Sequence, residues 1–440
     1  MSNTVRQEKY ADRVKASWEC LLADVDAWHA TFTKKRNTLM AFHAQQFKMF
    51  CENAHARLMQ DYNTSKFSQM DDEKLKFESF VTGALTSQWM LLRQVCQQRL
   101  PGNPYEEKLR ELDRKAVGYY RQVASVITQE KICPPLTYLG RIDELLLFKR
   151  DAPLLLSVPF GVLTRPNIDT AIAHEIGHAF LALNPKYFSE LKNVLFAKFS
   201  EQKDPQREET FETRMMQQRV PVFPSVSFEP GQQRFVIHKM ILGWLGEIVA
   251  DIVGTMLVGA EFVERAIWML ASSEDAMQIS DAEHPMALLR LYVHLATLQY
   301  LRENGGCPDF STVEDEINAM CGVFLEQRCK SLFDPVLTVA SFEKVKKELL
   351  TVVALILTTS FASLGNAPLG EVMRQARSIQ VATDIKTKDL PKWGEMMPNA
   401  NEPFVLELAD SLRLDYSTPE TLPQIFAKYW GIPGLDWLLG

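Results

Sequence analysis

The sequence predicts a mainly α-helical protein with one small β-sheet, flanked by N- and C-terminal helical regions. Three observations predict it. Val14, Trp18, Leu21, Val25, Trp28 and Phe32 recur at three- and four-residue steps, the spacing that lays one apolar stripe along a helix. No proline precedes Pro101, so nothing breaks the first helices. Short apolar runs bounded by Pro and Gly lie between residues 136 and 158, where strands are expected.

The elements follow in order. Pro101–Pro104 (PGNP) separates helical patterns over Asp72–Arg99 and Tyr105–Glu130, giving a bundle or long hairpin over residues 1–132. Its aromatic stripe reads as core, with a face for a regulatory protein partner as the alternative. Leu136–Leu139, Leu145–Phe148 and Leu154–Val158 are the candidate strands. Asn167 can cap a helix that begins just after it. A polar, charge-rich insertion over about 184–231 carries two helical patches and a Pro-rich loop. Its part from about Gln202 to Gly231 would cover or border the cleft as a lid, with an inert surface excursion as the alternative. Helices return from about Phe235 to Leu301, closing a central region over 133–305. After Gly305-Gly306 a helical region over 306–440 follows, looser near 365–401.

Composition narrows the classes. With 440 residues, 46% of them apolar and 23% charged, the chain is globular. Its length suits two or three domains at roughly 150 residues each. Forty-eight basic residues against 55 acidic ones leave −7, so a nucleic-acid partner is not expected. Seven cysteines, odd in number and without a C-x-x-C pair, fit reduced thiols and a cytoplasmic setting. The polar start MSNTVRQEKY gives no reason to expect a signal peptide. Leu349–Gly370 carries no charge and is long enough to cross a bilayer, but its Thr, Ser, Gly, Asn and Pro favour a buried helix.

One motif carries chemistry. His174-Glu175-Ile176-Gly177-His178 is H-E-x-x-H, in a chain with only eight histidines. On a helix, residues i and i+4 share a face, so both imidazoles can reach one metal ion. Glu175 adjoins the first histidine and can take a proton from a metal-activated water. Gly177 weakens the helix by roughly 1 kcal/mol relative to Ala, which a close-packed neighbour or the metal would explain. The alternative, a core helix with two satisfied histidines, buries polar groups without a use.

A zinc site needs a third protein ligand. Glu247 is the best candidate, in the otherwise apolar run 243–254. Asp251 follows one turn later on the same face and would accept the free N–H of a ligand histidine. The glycines at 243, 246 and 254 would let this helix approach its neighbour. Two acids salt-bridged to Lys or Arg elsewhere is the bland alternative, and His238 is the rival ligand. His284-Pro285 with Arg290 offers an imidazole and a cation that could flank a developing oxyanion. An ordinary helix N-terminus explains that pair equally well, and Arg290 beside a glutamate ligand could instead tether that helix in place.

Together, HExxH, Glu247-x-x-x-Asp251 and His284-Pro285 to Arg290 resemble the gluzincin metallopeptidases, nearest to the HtpX and CAAX-prenyl-protease type. The resemblance covers roughly residues 135–300. It implies a zincin-type metallopeptidase core, zinc held by His174, His178 and Glu247, and a protein or peptide substrate. Those relatives are integral membrane enzymes, and this chain lacks their transmembrane helices. The mechanism implied has Glu175 as general base toward a metal-activated water, and His284 or Arg290 beside the oxyanion. Leu154–Val158 would be a sheet edge along which an extended peptide lies. Two further functions compete: hydrolysis of a non-peptide amide, and a zinc-binding scaffold or regulatory protein that turns nothing over. Glu175 argues against the scaffold, since a purely structural zinc needs no base.

Overall fold

The computed structural model describes residues 3–64, 72–127, 135–140, 144–147, 154–159, 168–200, 237–238, 240–271, 285–305, 310–327 and 339–383. The protein is mainly helical with a small sheet. Its described residues divide into two compact units, Met1–Val117 and Glu130–Phe160 with Thr383, and Gly118–Gln129 with Gly161–Ala382.

In the first unit the expected stripe is core. Helix α1 (Asn3–Lys34) buries Val14, Trp18, Leu21, Val25 and Phe32, while Trp28 is half-buried beneath the Arg93 guanidinium. α1 packs on α2 (Thr38–Thr64) and α3 (Asp72–Gln97). Asn37 starts α2: its Oδ1 accepts from the Met40 N–H at 3.2 Å, and its amide donates to the Arg99 carbonyl at 3.0 Å. The turn through Pro101–Pro104 uses Gly102 at φ 87°, a left-handed position that glycine adopts without strain. α4 (Glu106–Ile127) follows.

Strands β1 (Leu136–Gly140), β2 (Glu144–Leu147) and β3 (Leu154–Pro159) form one sheet in the order β1-β3-β2. β1 runs parallel to β3, with Leu136 opposite Leu155, and β2 runs antiparallel to it, with Leu147 opposite Leu154. This corrects one expectation. Leu154–Val158 is the middle strand and no sheet edge, because Glu144–Leu147 folds back onto its second side. A buried ion pair ties the sheet to the helices. The Arg99 guanidinium forks onto Asp113 at 2.8 and 3.0 Å and also donates to the Thr137 carbonyl. Asp113 in turn accepts from the Thr137 N–H and hydroxyl, each at 2.8 Å. A buried pair of this kind is tolerable because its remaining hydrogen-bonding capacity is used.

In the second unit, α5 (Ile168–Leu183) packs along α7 (Leu245–Val258). Asn167, the expected cap, lies just outside the described residues. α6 (Pro185–Ser200) supplies the first helical patch of the insertion, and the segment of about 202–231, expected to form a lid, lies outside them too. α8 (Ala260–Ala271) and α9 (Ala287–Glu303) cover α7 from other sides. α10 (Ser311–Gln327) and α11 (Val339–Thr358) follow, the latter packed on α9.

The uncharged stretch Leu349–Gly370 is a helix only in its first half. α11 buries Leu349, Val352, Val353, Ile356 and Leu357 and exposes Thr351, Ala354 and Thr358. The chain then turns through β4 (Ser360–Phe361) and β5 (Ala367–Pro368), with Gly365 and Asn366 both at positive φ. Glu190 of α6 holds this turn, accepting from the Ser363 N–H and hydroxyl at 3.1 and 2.8 Å. α12 (Leu369–Ser378) comes next, so the start of the stretch expected to be loose is helical. Among the described residues no helix is long and apolar enough to cross a membrane.

Candidate metal centre

The centre is built within the second unit by three helices. α5 presents His174, Glu175 and His178, α7 presents Glu247 and Asp251, and α9 presents Arg290. The positions obey one rule. His174 and His178, like Glu247 and Asp251, are one helical turn apart and share a face.

Gly177 allows the approach. A Cβ there would stand 2.4 Å from the Ala250 Cα and 2.7 Å from its carbonyl oxygen, so only glycine admits α7 this close. Gly254 plays a similar part: a Cβ there would stand 2.6 Å from the Phe262 ring and 3.3 Å from the His174 amide nitrogen. Gly246 has nothing within 4 Å and takes no part in the approach.

The geometry is tight. His174 Nε2 lies 3.1 Å from His178 Nε2 and 3.3 Å from Glu247 Oε2, and His178 Nε2 lies 3.1 Å from Glu247 Oε1. Three donors around a tetrahedral ion with bonds of about 2.0–2.1 Å stand roughly 3.3 Å apart. His174, Glu175 and His178 also offer ligand atoms within 4.8 Å of one another, a group that could hold a metal ion. His174, Glu175 and Asp251 are buried.

Behind the donors, His174 Nδ1 donates to Asp251 Oδ1 at 2.9 Å. In the neutral ring that a metal ion would bind, that bond leaves the lone pair on Nε2, the nitrogen that faces His178 and Glu247. Asp251 is held in turn by Arg290, whose Nε and Nη2 donate to its two oxygens at 2.8 and 2.7 Å. Arg290 Nη2 also stands 3.6 Å from Glu247. The guanidinium is therefore engaged with the two acids, which favours the tethering role over the oxyanion role expected for it. His284 lies outside the described residues.

Electrostatics follow from this crowding. Burial acts to lower the His174 pKa, but its bonds to Asp251 and Glu247 outweigh that and push it up to about 10. Burial acts to raise Glu247, yet the two imidazoles hold its carboxyl far below the usual carboxylate range. Asp251 is likewise driven down against burial, by the Arg290 charge first. Glu175, Glu247 and Asp251 confront one guanidinium. Without a metal the protonated His174 offsets part of this charge; once the imidazoles are neutral, as ligation requires, an excess of two negative charges remains in a buried place, which suits a divalent cation.

No protein-family model, curated protein or solved structure matches this chain.

His238 sits elsewhere in its contacts: it stacks on Phe199 with ring centroids 3.7 Å apart and faces Glu348 at 3.6 Å. Two residues near the centre escaped the sequence reading, Thr255 and His294. Thr255 follows Asp251 by four and His294 follows Arg290 by four, so the spacing that found Asp251 could have found them.

Proposed function

We propose that the chain is a zinc-dependent peptidase with a catalytic core of the gluzincin metallopeptidase type, acting as an endopeptidase on protein or peptide. The observation that carries this reading is the triangle of His174, His178 and Glu247, with Glu175 beside it. Two imidazoles and one carboxylate with a position to spare are the ligand set of a catalytic zinc. Zinc there would supply Lewis acidity, polarising a carbonyl and making water a stronger acid.

The remaining work falls to the chain. Glu175, whose carboxylate lies among the candidate ligand atoms, accepts a proton from the attacking water and returns it to the leaving amine. Asp251 keeps the His174 proton on Nδ1, and Arg290 keeps Asp251 in place. His284 is the proposed oxyanion donor.

The test is a comparison of wild type with Glu175→Gln. Both are incubated with a cell lysate, and new peptide termini are mapped. Cleavage by wild type alone, abolished by chelation, supports the reading. Zinc bound without any new termini would turn the proposal toward a non-peptide amide hydrolase or a zinc-binding scaffold.

A further inference from the structure

Asp251 meets two imidazoles, and only one of them belongs to the metal-binding triangle. The second is His294, one turn beyond Arg290 on α9 and 1% exposed. Its Nδ1 lies 2.8 Å from Thr255 Oγ1, and its Nε2 lies 3.9 Å from Asp251 Oδ1. Thr255, fully buried on α7, also places Oγ1 2.7 Å from the Asp251 carbonyl oxygen. Phe262 of α8 packs edge-on against the His294 ring at 5.2 Å, which fixes its plane.

The hydrogen count assigns the tautomer. A threonine hydroxyl carries one proton. A carbonyl oxygen can only accept, so the Thr255 proton goes to the Asp251 carbonyl. Thr255 Oγ1 must then accept from His294, which places the His294 proton on Nδ1. Burial favours the neutral ring, lowering its pKa to about 4 against the pull of Asp251. Nε2 therefore turns a bare lone pair toward Asp251 and offers it no hydrogen. Oδ1 is left to His174 Nδ1 at 2.9 Å and Arg290 Nη2 at 2.7 Å.

We infer that His294 and Thr255 are positioning residues of the metal centre: Thr255 fixes the tautomer of His294, so that Asp251 receives a hydrogen bond from one imidazole only, that of His174. The pair acts on the affinity for a divalent cation through Asp251, by keeping a second imidazole hydrogen away from its carboxylate. This rests on the reading of His174, His178 and Glu247 as ligands.

A leucine in place of His294 could fill a core between α7, α8 and α9, so packing alone does not call for an imidazole there. A ring nitrogen bonded to the helix that carries Asp251, and facing its carboxylate, does have a use. Partners behind a metal-bound histidine commonly alter metal affinity by about 10–100-fold when removed.

The experiment measures zinc affinity of the full chain by competition with a chromogenic chelator. It compares wild type with Thr255→Val, His294→Phe and His294→Asn, and records each metal-free melting temperature. Thr255→Val keeps the shape and removes the hydroxyl. His294→Phe keeps the ring and removes both nitrogens. His294→Asn restores a donor near the place of Nδ1. Thr255→Val should bind zinc about tenfold more weakly, because the freed His294 can turn an Nε2 proton toward Asp251, whereas His294→Phe and His294→Asn, which offer Asp251 no imidazole hydrogen, should stay within about threefold of wild type. Metal-free melting temperatures should not follow that order. A Thr255→Val variant that binds as wild type does overturns the inference and leaves the metal centre standing. Equal losses in Thr255→Val and His294→Phe overturn it as well, since they would report packing and not the tautomer. A wild-type chain with no zinc affinity overturns the centre itself.

Discussion

Gly177 of α5 and Ala250 of α7 meet backbone to backbone, with room for no side chain at Gly177. Gly177 lies between the two histidines of one helix, and Ala250 lies between the two acids of the other. The distance from imidazole to carboxylate is thus set by the approach of two main chains.

Gly177→Ala should therefore separate the helices. Overpacking of this kind destabilises by about 1–3 kcal/mol, and the triangle of donors opens with it. Zinc content and the melting temperature should both fall. Gly246→Ala is the contrast, since nothing lies within 4 Å of that position. Gaining helix propensity, it should be neutral or stabilising by up to about 1 kcal/mol. Equal behaviour of the two variants would remove the argument from close approach.

Purified protein should carry about one zinc per chain. His174→Ala, His178→Ala and Glu247→Ala should each strip most of it. Elemental analysis after dialysis is the measurement, and full occupancy in Glu247→Ala would show the third ligand to lie elsewhere.

Glu175→Gln should separate base from ligand. The amide keeps the shape but cannot take a proton, so turnover should fall by about 10²–10⁴ while zinc stays. Loss of zinc in this variant would make Glu175 a ligand and move Glu247 out of that role.

Arg290→Ala should fail before any kinetics are read. Removing one partner of a buried ion pair costs about 3–5 kcal/mol, and Asp251 would lose its fork. Arg290→Lys keeps the charge without the two-pronged geometry, so it should retain fold but bind zinc more weakly. Asp251→Asn should weaken zinc by about 10–100-fold. Unchanged melting in Arg290→Ala would contradict the tether.

Acid stability should depend on His43. Burial, with the Arg99 charge adding to it, lowers the His43 pKa from 6.5 to about 3. Between those values the unfolded chain binds the proton and the folded chain does not. Stability therefore falls as pH drops below 6.5 and stops falling near 3. The slope is about 1.4 kcal/mol per pH unit for one group. His43→Gln, which cannot titrate, should show a flatter decline in denaturant unfolding between pH 6 and 4. Parallel curves would assign the acid sensitivity to other groups.

The helical stripe, the strands and the acids behind HExxH were legible because periodicity reports directly on faces. Val14 to Phe32 and Glu247 with Asp251 are cases in point. The position of β3 was not legible: strand order depends on which segments pair, and Leu154–Val158 reads the same at an edge or in the middle. The partner of Arg290 was not legible for a related reason. A guanidinium six residues after a histidine says nothing about which carboxylate it will meet. Gly177 was legible as a cost, but its neighbour Ala250 was not.

The middle place of β3 also bears on solubility. Leu154–Val158 is uncharged, leucine-rich and free of Pro, the kind of segment that stacks with copies of itself once released. Folded, it is capped on both sides by β1 and β2, strands of five and four residues. Edges that short give a second molecule little to grip. The same two strands that deny β3 an extended peptide thus act as its gatekeepers, and loss of either would exchange a folded sheet for a seed of aggregation.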